Sequence, residues 1–213
     1  MNRFIVPLAL VAAVSLLAAC SSTTTVQVPP QMDLRTYGTV GMIEFSSDAP
    51  NDLRQEASRE FLAAIQAAQP GVPVLELGNE RRVLDAVGGS RMDPETIRAI
   101  GELYHVDVLV HGVLDAQEVR PKVAIGGNVE SLSAKAEIEG SLATKIYDTR
   151  SAATVWTGNA HGKETLASLR VSDGGLSGLG AAHPDDAHEK LVRNLVASAT
   201  RDFRPSYLRQ RVR

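Results

Sequence analysis

Residues 100–114, Ile-Gly-Glu-Leu-Tyr-His-Val-Asp-Val-Leu-Val-His-Gly-Val-Leu, decide the fold because they join the end of a helix to a strand. The helix begins near Asp93 and Pro94, since aspartate is a favoured N-cap and proline a favoured first helical residue. Val106–Leu114 is dense in β-branched residues, which is typical of a central strand. A helix that leads directly into such a strand indicates an α/β arrangement.

The segments before this stretch alternate between strand and helix. Thr39–Phe45 is a short apolar run that predicts a largely buried strand. Apolar residues recur every three or four positions in Asn51–Gln69, which predicts an amphipathic helix. Val72–Leu77 is typical of a second strand, with Pro73 near its start or at a sheet edge. Asn79–Val87 predicts a short helix, so the order up to the quoted strand is β-α-β-α-α-β.

The segments after it predict a hairpin and a terminal helix. Ala136–Tyr147 alternates apolar and polar residues, as a strand does when one face is buried and the other is wet. Asp148–Ser151 predicts a turn, and Ala153–Asn159 returns as the hairpin partner. Glycine-rich Asp173–Gly180 is typical of a loop, and Pro184–Phe203 of an amphipathic helix. The whole pattern predicts an α/β sandwich in which helices pack on a mixed sheet.

The amino terminus has the features of an export signal that ends in a lipidation site. Arg3 precedes the short apolar stretch Phe4–Ala19, and small residues stand before Cys20. The residues that resemble a lipobox are Leu17, Ala18 and Ala19. Cys20 is the only cysteine, so it has no intramolecular disulfide partner in an oxidising periplasm. We predict a signal peptide over residues 1–19 and a diacylglyceryl group on Cys20; a buried, unmodified cysteine after a leader is the alternative.

Lipidation would anchor the chain to a membrane. Two or more acyl chains, such as palmitate, anchor a protein stably because each buried methylene contributes about 0.8 kcal/mol. The resemblance to bacterial lipoproteins implies that Ser21, not being aspartate, permits sorting to the periplasmic face of the outer membrane; retention in the inner membrane is the alternative. Residues 20–38, with the stiff pair Pro29-Pro30, predict a flexible linker, and residues 39–213 a single periplasmic domain.

The charge balance argues against a general nucleic-acid binder. Removal of the leader takes away Arg3 and leaves 21 basic and 25 acidic residues, a net charge of −4, whereas nucleic-acid-binding domains usually carry a basic excess. An exception is the carboxyl-terminal arginine cluster, which comprises Arg201, Arg204, Arg209, Arg211 and Arg213. Such a cluster is typical either of a contact with anionic lipid or an acidic partner, or of a solvated helix end.

Three segments resemble a periplasmic lipoprotein group that contains the curli secretion channel CsgG, the LpoB-type activators of penicillin-binding proteins and the amino-terminal domain of TolB. Val40–Phe45 is similar to the group's opening strand, residues 100–114 to its helix leading into a strand, and Leu142–Gly158 to its hairpin with aspartate and tryptophan. His105-Val106 stands where the group prefers Gly-Ala, and Ser151-Ala152 brings no glycine to the hairpin turn. The resemblance implies a fold like the anticodon-binding domains and action through protein partners or oligomerisation.

Channel members of this group add two long hairpins that enter a membrane. Each such strand needs about nine to eleven alternating residues, and Lys163–Gly180 is too short for four of them. Leu114–Lys135 is longer, but Arg120-Pro121-Lys122 and Gly126-Gly127-Asn128 interrupt its alternation. We therefore rank an oligomeric secretion-channel component of the curli type second.

No motif in the sequence predicts a catalytic centre, a metal site or a cofactor. The five histidines lack the i, i+4 pair of a helical zinc site; they are His105, His111, His161, His183 and His188. The serine of Gly174–Gly180 is offset from the Gly-x-Ser-x-Gly pattern of serine hydrolases. Gly88-Gly89 and Gly126-Gly127 lack the lysine that follows a phosphate-binding loop. An envelope hydrolase is therefore ranked last, and we expect no cofactor.

The leading hypothesis is a membrane-anchored periplasmic lipoprotein that acts as a non-catalytic assembly or regulatory factor. Its partners would be other envelope proteins or further copies of the chain, and not nucleic acid. Trp156, alone on the predicted hairpin, is typical either of a core residue under the helices or of an interface anchor. With it, the candidate interface residues are Arg209, Arg211 and Arg213.

Overall fold

The computed structural model describes residues 23–47, 51–125, 131–172, 175–181 and 183–211. The elements, in chain order, are β1 (Thr23–Val28), β2 (Val40–Glu44), α1 (Asn51–Ala68), β3 (Val74–Asn79), α2 (Glu80–Ala86), α3 (Pro94–Tyr104), β4 (Val108–Ile125), β5 (Ser131–Asp148), β6 (Thr154–Ser172), β7 (Gly175–Ala181), α4 (Pro184–Ala199) and β8 (Ser206–Arg211), with 3₁₀ turns at Leu34–Thr36 and Arg201–Phe203. Within these residues no helix is both long enough and apolar enough to cross a membrane.

Strands β2 to β7 form one mixed sheet with the order β3-β2-β4-β5-β6-β7. Strand β2 runs parallel to β3 and β4, whereas β4, β5, β6 and β7 are successive antiparallel neighbours. The fold class predicted from the sequence is therefore confirmed: helices pack on a mixed sheet, a hairpin follows late in the chain, and a helix lies near the carboxyl terminus.

The helices lie on both faces of the parallel half of the sheet. Helices α1 and α4 share the larger core, in which Phe61 packs edge-to-face on Phe45 and Phe203, with ring centroids 5.1 and 6.1 Å apart. Helices α2 and α3 cover the opposite face through a smaller core centred on Ile43 and Ile100. Because both faces of β2 are covered, every residue from Val40 to Ile43 is buried, as is usual for parallel strands.

The stretch that joins α3 to β4 folds as its sequence predicts. Asp93 caps α3 by accepting a hydrogen bond from the backbone N–H of Thr96, and Pro94 is the first helical residue. The helix ends at His105, which has a left-handed φ of 54° and donates its backbone N–H to the carbonyl of Gly101. This conformation favours glycine, so a histidine is an uncommon residue there.

Strands β4 to β7 extend much further than the sequence analysis predicted. The segment Asp173–Gly180, predicted as a loop, instead contributes Gly175–Ala181 as a strand that pairs with β6. That prediction was wrong because a backbone ladder can form on a neighbouring strand without bulky side chains. Strand β4 also continues through Arg120-Pro121-Lys122, where an interruption was expected: Pro121 pairs with Ala136 just after a register shift, and such irregularities accommodate proline. The interruption expected at Gly126-Gly127-Asn128 lies outside the described residues.

A second, two-stranded sheet pairs β1 with β8 in antiparallel register. The chain divides into two compact units: the larger unit is Gln31–Arg204, and the two-stranded sheet belongs to the smaller one. Part of the segment predicted as a flexible linker, Thr23–Val28, is thus a paired strand. Arg209 and Arg211 lie in β8 and not at a helix end, because α4 stops at Ala199 and the chain becomes extended again at Ser206.

A buried amide ties the ends of the larger unit together. The side chain of Gln69, just after α1, accepts a hydrogen bond from the N–H of Leu34 at 2.7 Å and donates to the carbonyls of Met32 and Phe203 at 2.6 and 3.0 Å. Gln69 is fully buried. Because an unpaired buried polar group is costly, this one side chain supports backbone at both ends of the unit.

Candidate functional site

The two faces of strands β4, β5 and β6 differ in what covers them. On one face, the cross-strand row Leu114, Leu142 and Ala160 is buried beneath α4. On the other face, the corresponding rows consist mostly of exposed residues. The exposed members of these rows are Val113, Ala143, Asn159, Lys145, Thr157, Asp115 and His161. We call these seven residues the open face.

The open face has an apolar centre and a polar margin. Val113, which is 44% exposed, lies opposite Ala143, and Ala143 lies opposite Asn159. Lys145 and Asp115 bring opposite charges to the neighbouring rows. Exposed apolar area ringed by polar groups is a common feature of protein-binding surfaces. The sequence alternation of β5 predicted a wet face, but Tyr147 on that side is buried; it lies opposite Leu109, which belongs to the smaller core.

A cleft of about 800 Å³ adjoins the open face at the carboxyl ends of β2 and β3. Val113 and Asp115 belong to both the cleft and the open face. In open α/β sheets the carboxyl ends of the parallel strands are the usual place for ligands. The other charged residues that line the cleft are Glu44, Arg54, Glu80, Arg81 and Asp85. The cleft is therefore suited to polar and charged groups of a partner.

Two side-chain contacts lie at the wall of the cleft. Arg54 Nε of α1 lies 3.4 Å from Glu44 Oε1 at the end of β2, and His111 Nε2 of β4 lies 3.3 Å from Glu80 Oε1 at the start of α2. Contact with His111, more than the opposing effect of burial, holds the pKa of Glu80 below its ordinary value, and Ser46 adds a hydrogen bond. These contacts link β2 and β4 with α1 and α2 around one opening.

The groups around Glu80 differ in their order from those of a serine triad. Glu80 interacts with both Ser46 and His111, so the carboxylate stands between the hydroxyl and the imidazole. In a serine triad the histidine stands between them, because it must take the proton from the hydroxyl. Among the described residues, no group of three histidine, cysteine, aspartate or glutamate side chains could hold a metal ion.

Trp156 lies at the start of β6, on the covered face of the sheet. Its ring centroid is 4.8 Å from that of Phe203, and its indole N–H donates to Asp202 Oδ2 at 3.1 Å. The ring is only partly buried against the core. The structure therefore places Trp156 away from the open face; a role for it as an interface anchor stays a prediction.

The other predicted site residues lie in or beyond the two-stranded sheet. Arg209 is exposed in β8 opposite Thr25, and Arg211 pairs with Thr23. The remaining predictions fall outside the described residues: Leu17, Ala18, Ala19, Cys20, Ser21 and Arg213. Lipidation therefore stays a prediction of the sequence. The sequence analysis missed the open face and the cleft, because their residues come from segments far apart in the chain.

Comparison with known proteins places lipoproteins among the solved structures that this chain resembles. No family model and no curated protein matches the chain. Similar solved structures include the PelC dodecamer from Paraburkholderia phytofirmans (13% identity, 84% of this chain and 97% of that chain, TM-score 0.39), lipoprotein GNA1162 from Neisseria meningitidis (11%, 60% and 83%, 0.35) and the LpoB C-terminal domain from Salmonella enterica (10%, 70% and 90%, 0.32). Similarity at this level does not transfer a partner or an activity to this chain.

Proposed function

We propose that this chain is a lipid-anchored periplasmic lipoprotein that acts as a non-catalytic assembly or regulatory factor, and that it binds another envelope protein through the open face and the adjoining cleft. The observation that carries the proposal is the difference between the two faces of β4–β6. Three neighbouring strands bury one face under α4 and present the other to solvent, beside a charged opening. The lipobox at Leu17–Ala19 and the single Cys20 support the anchor.

The arrangement favours binding over catalysis on physical grounds. Two of the cleft's carboxylates, Glu44 and Glu80, already contact Arg54 and His111, so these groups shape the opening. The apolar centre at Val113 and Ala143 offers area that a partner can remove from water, at about 25 cal/mol per Å². The charged margin would set the orientation of the partner more than the affinity.

Affinity purification from detergent-solubilised envelopes tests this proposal. The lipidated protein should repeatedly return the same partner, and the double variant Ala143→Glu with Asn159→Glu should lose it, because two carboxylates would replace neutral contacts at the centre of the open face. Gln66→Glu, on the exposed surface of α1, is the matched control and should keep the partner. Recovery of the same partner with all three proteins would contradict binding through this face.

An oligomeric secretion-channel component is the second candidate, and the length of the strands favours it. β4, β5 and β6 contain 18, 18 and 19 residues, well beyond the hairpin that the sequence predicted. This candidate predicts a discrete, ring-sized species of the lipidated protein by light scattering in mild detergent. A monomer at high concentration would remove it and leave the partner-binding role.

A further inference from the structure

The two-stranded sheet of β1 and β8 leaves its side chains unusually exposed. Tyr207 is 65% exposed, Leu208 61% and Val26 42%, and Leu208 faces Val26 across the ribbon. An isolated two-stranded ribbon is marginally stable in water, since it has no buried face. Contact with another surface that removes these apolar and aromatic side chains from water would therefore be favourable.

The charge of the ribbon is opposite to that of the rest of the chain. Residues 205–213 contain Arg209, Arg211 and Arg213 and no acidic residue, and residues 20–30 contain no charged residue, which gives +3. The 21 basic residues of the mature chain less these three leave 18 against 25 acidic residues in 31–204, a net charge of −7. The carboxyl-terminal segment of the ribbon therefore carries a positive net charge, whereas residues 31–204 carry a negative one.

The position of the ribbon in the chain brings it close to the predicted lipid anchor. Only Ser21 and Ser22 separate Cys20 from Thr23, the first residue of β1. Three Cα–Cα steps span at most about 11 Å, so an acylated Cys20 would hold the start of β1 at the depth of the lipid headgroups. Strand β8 would be held there too, because Thr23 pairs with Arg211 and Thr25 with Arg209.

We infer that the β1–β8 ribbon is a second membrane contact that binds anionic phospholipid headgroups through Arg209 and Arg211 beside the acyl anchor. Tyr207 would lie at the interface, where an aromatic ring with a polar hydroxyl is favoured. The inference rests on the proposed lipidation of Cys20 for its geometry. The contact would fix the orientation of the amino-terminal segment at the bilayer, which acyl chains alone do not.

Vesicle flotation tests the ribbon without its anchor. The whole mature chain with Cys20→Ala is mixed with vesicles of phosphatidylethanolamine and phosphatidylglycerol, and with neutral phosphatidylcholine vesicles. We expect binding to the anionic vesicles alone, weakening as salt is raised. Arg209→Gln with Arg211→Gln should weaken it about 25-fold, from about fivefold for each arginine near an anionic surface. The charge-matched control, Arg82→Gln with Arg98→Gln on exposed positions of α2 and α3, should bind almost as the parent does.

Two results would overturn the inference. One is the absence of vesicle binding by the parent chain at low salt; the other is an equal loss with both double variants. Crosslinking of position 209 to an acidic protein in cells, without vesicle binding, would likewise replace the lipid surface with a protein partner. Mass spectrometry of the envelope protein tests the anchor separately: an unmodified Cys20 would remove the lipoprotein proposal even if the vesicles still bound the ribbon.

Discussion

The parallel and antiparallel halves of the sheet differ in how many of their faces are covered by helices. In the parallel half, helices cover both faces and Val40–Ile43 is buried throughout. In the antiparallel half, α4 covers one face only, and β5 alternates between buried Leu142 and exposed Ala143. The comparison indicates that the covered surfaces hold the fold together, while the open face is free to bind.

The largest expected effect is a difference in stability between variants on the two faces of β5. Leu142→Ala should lower the free energy of unfolding by about 2–5 kcal/mol, because it leaves a cavity beneath α4. Lys145→Ala, on the open face, should change it by no more than about 0.5 kcal/mol. Urea unfolding of the two variants measures both. Equal losses would mean that the open face is as much a part of the folded core as the covered one.

The next largest effect concerns the buried side-chain amide of Gln69. Gln69→Leu removes hydrogen bonds to Leu34, Met32 and Phe203 and leaves their backbone groups unpaired. We expect a loss of about 2–4 kcal/mol, from the cost of each buried unsatisfied group. Thermal unfolding checks this, with Gln66→Leu on the exposed surface of α1 as the control. A variant as stable as the parent would show that water or a shift of the chain replaces the amide.

A smaller, stabilising effect is expected at the end of α3. His105 holds a left-handed φ of 54°, which costs a residue with a Cβ roughly 1 kcal/mol. Relief of that strain should exceed the extra chain entropy of glycine, so His105→Gly should raise the midpoint of urea unfolding slightly. A lower midpoint would mean that the imidazole makes a contact worth more than the strain.

The smallest expected effect is the contribution of Glu80, in the cleft, to the pH dependence of stability. The folded pKa of Glu80 is lowered by His111, so its contribution to stability is present above the unfolded pKa and is lost as the pH falls through the folded pKa. Glu80→Gln should therefore flatten part of the decline in stability on the acid side. Unfolding midpoints of both proteins from neutral to acid pH measure the difference. Parallel curves would show that the pair does not act on folding.

Local signals in the sequence predicted the helices and the buried strand faces well. Asp93 and Pro94 begin α3, and the apolar periodicity of α1 matches Asn51–Ala68 closely. The alternation of β5 correctly placed Ile138, Leu142 and Ile146 on the buried face. In each case the residue type and its immediate neighbours determine the structure, so one sequence contains enough information.

Features that depend on distant pairing were not predictable in the same way. Gly175–Ala181 has the composition of a loop and becomes a strand because β6 lies beside it. Thr23–Val28 resembles a linker and is paired by β8 from the other end of the chain. The contacts at the cleft wall join Glu44 to Arg54 and Glu80 to His111. These contacts follow from the order of strands and helices in the fold and not from spacing in the sequence.

Photocrosslinking in intact cells tests the central claim most directly. A photoreactive amino acid at position 159 of the lipidated protein samples the open face, and one at position 66 samples the exposed surface of α1. The account predicts a discrete adduct with an envelope protein from position 159 and none from position 66. The same adducts from both positions, or adducts from position 66 alone, would contradict the assignment of partner binding to the open face.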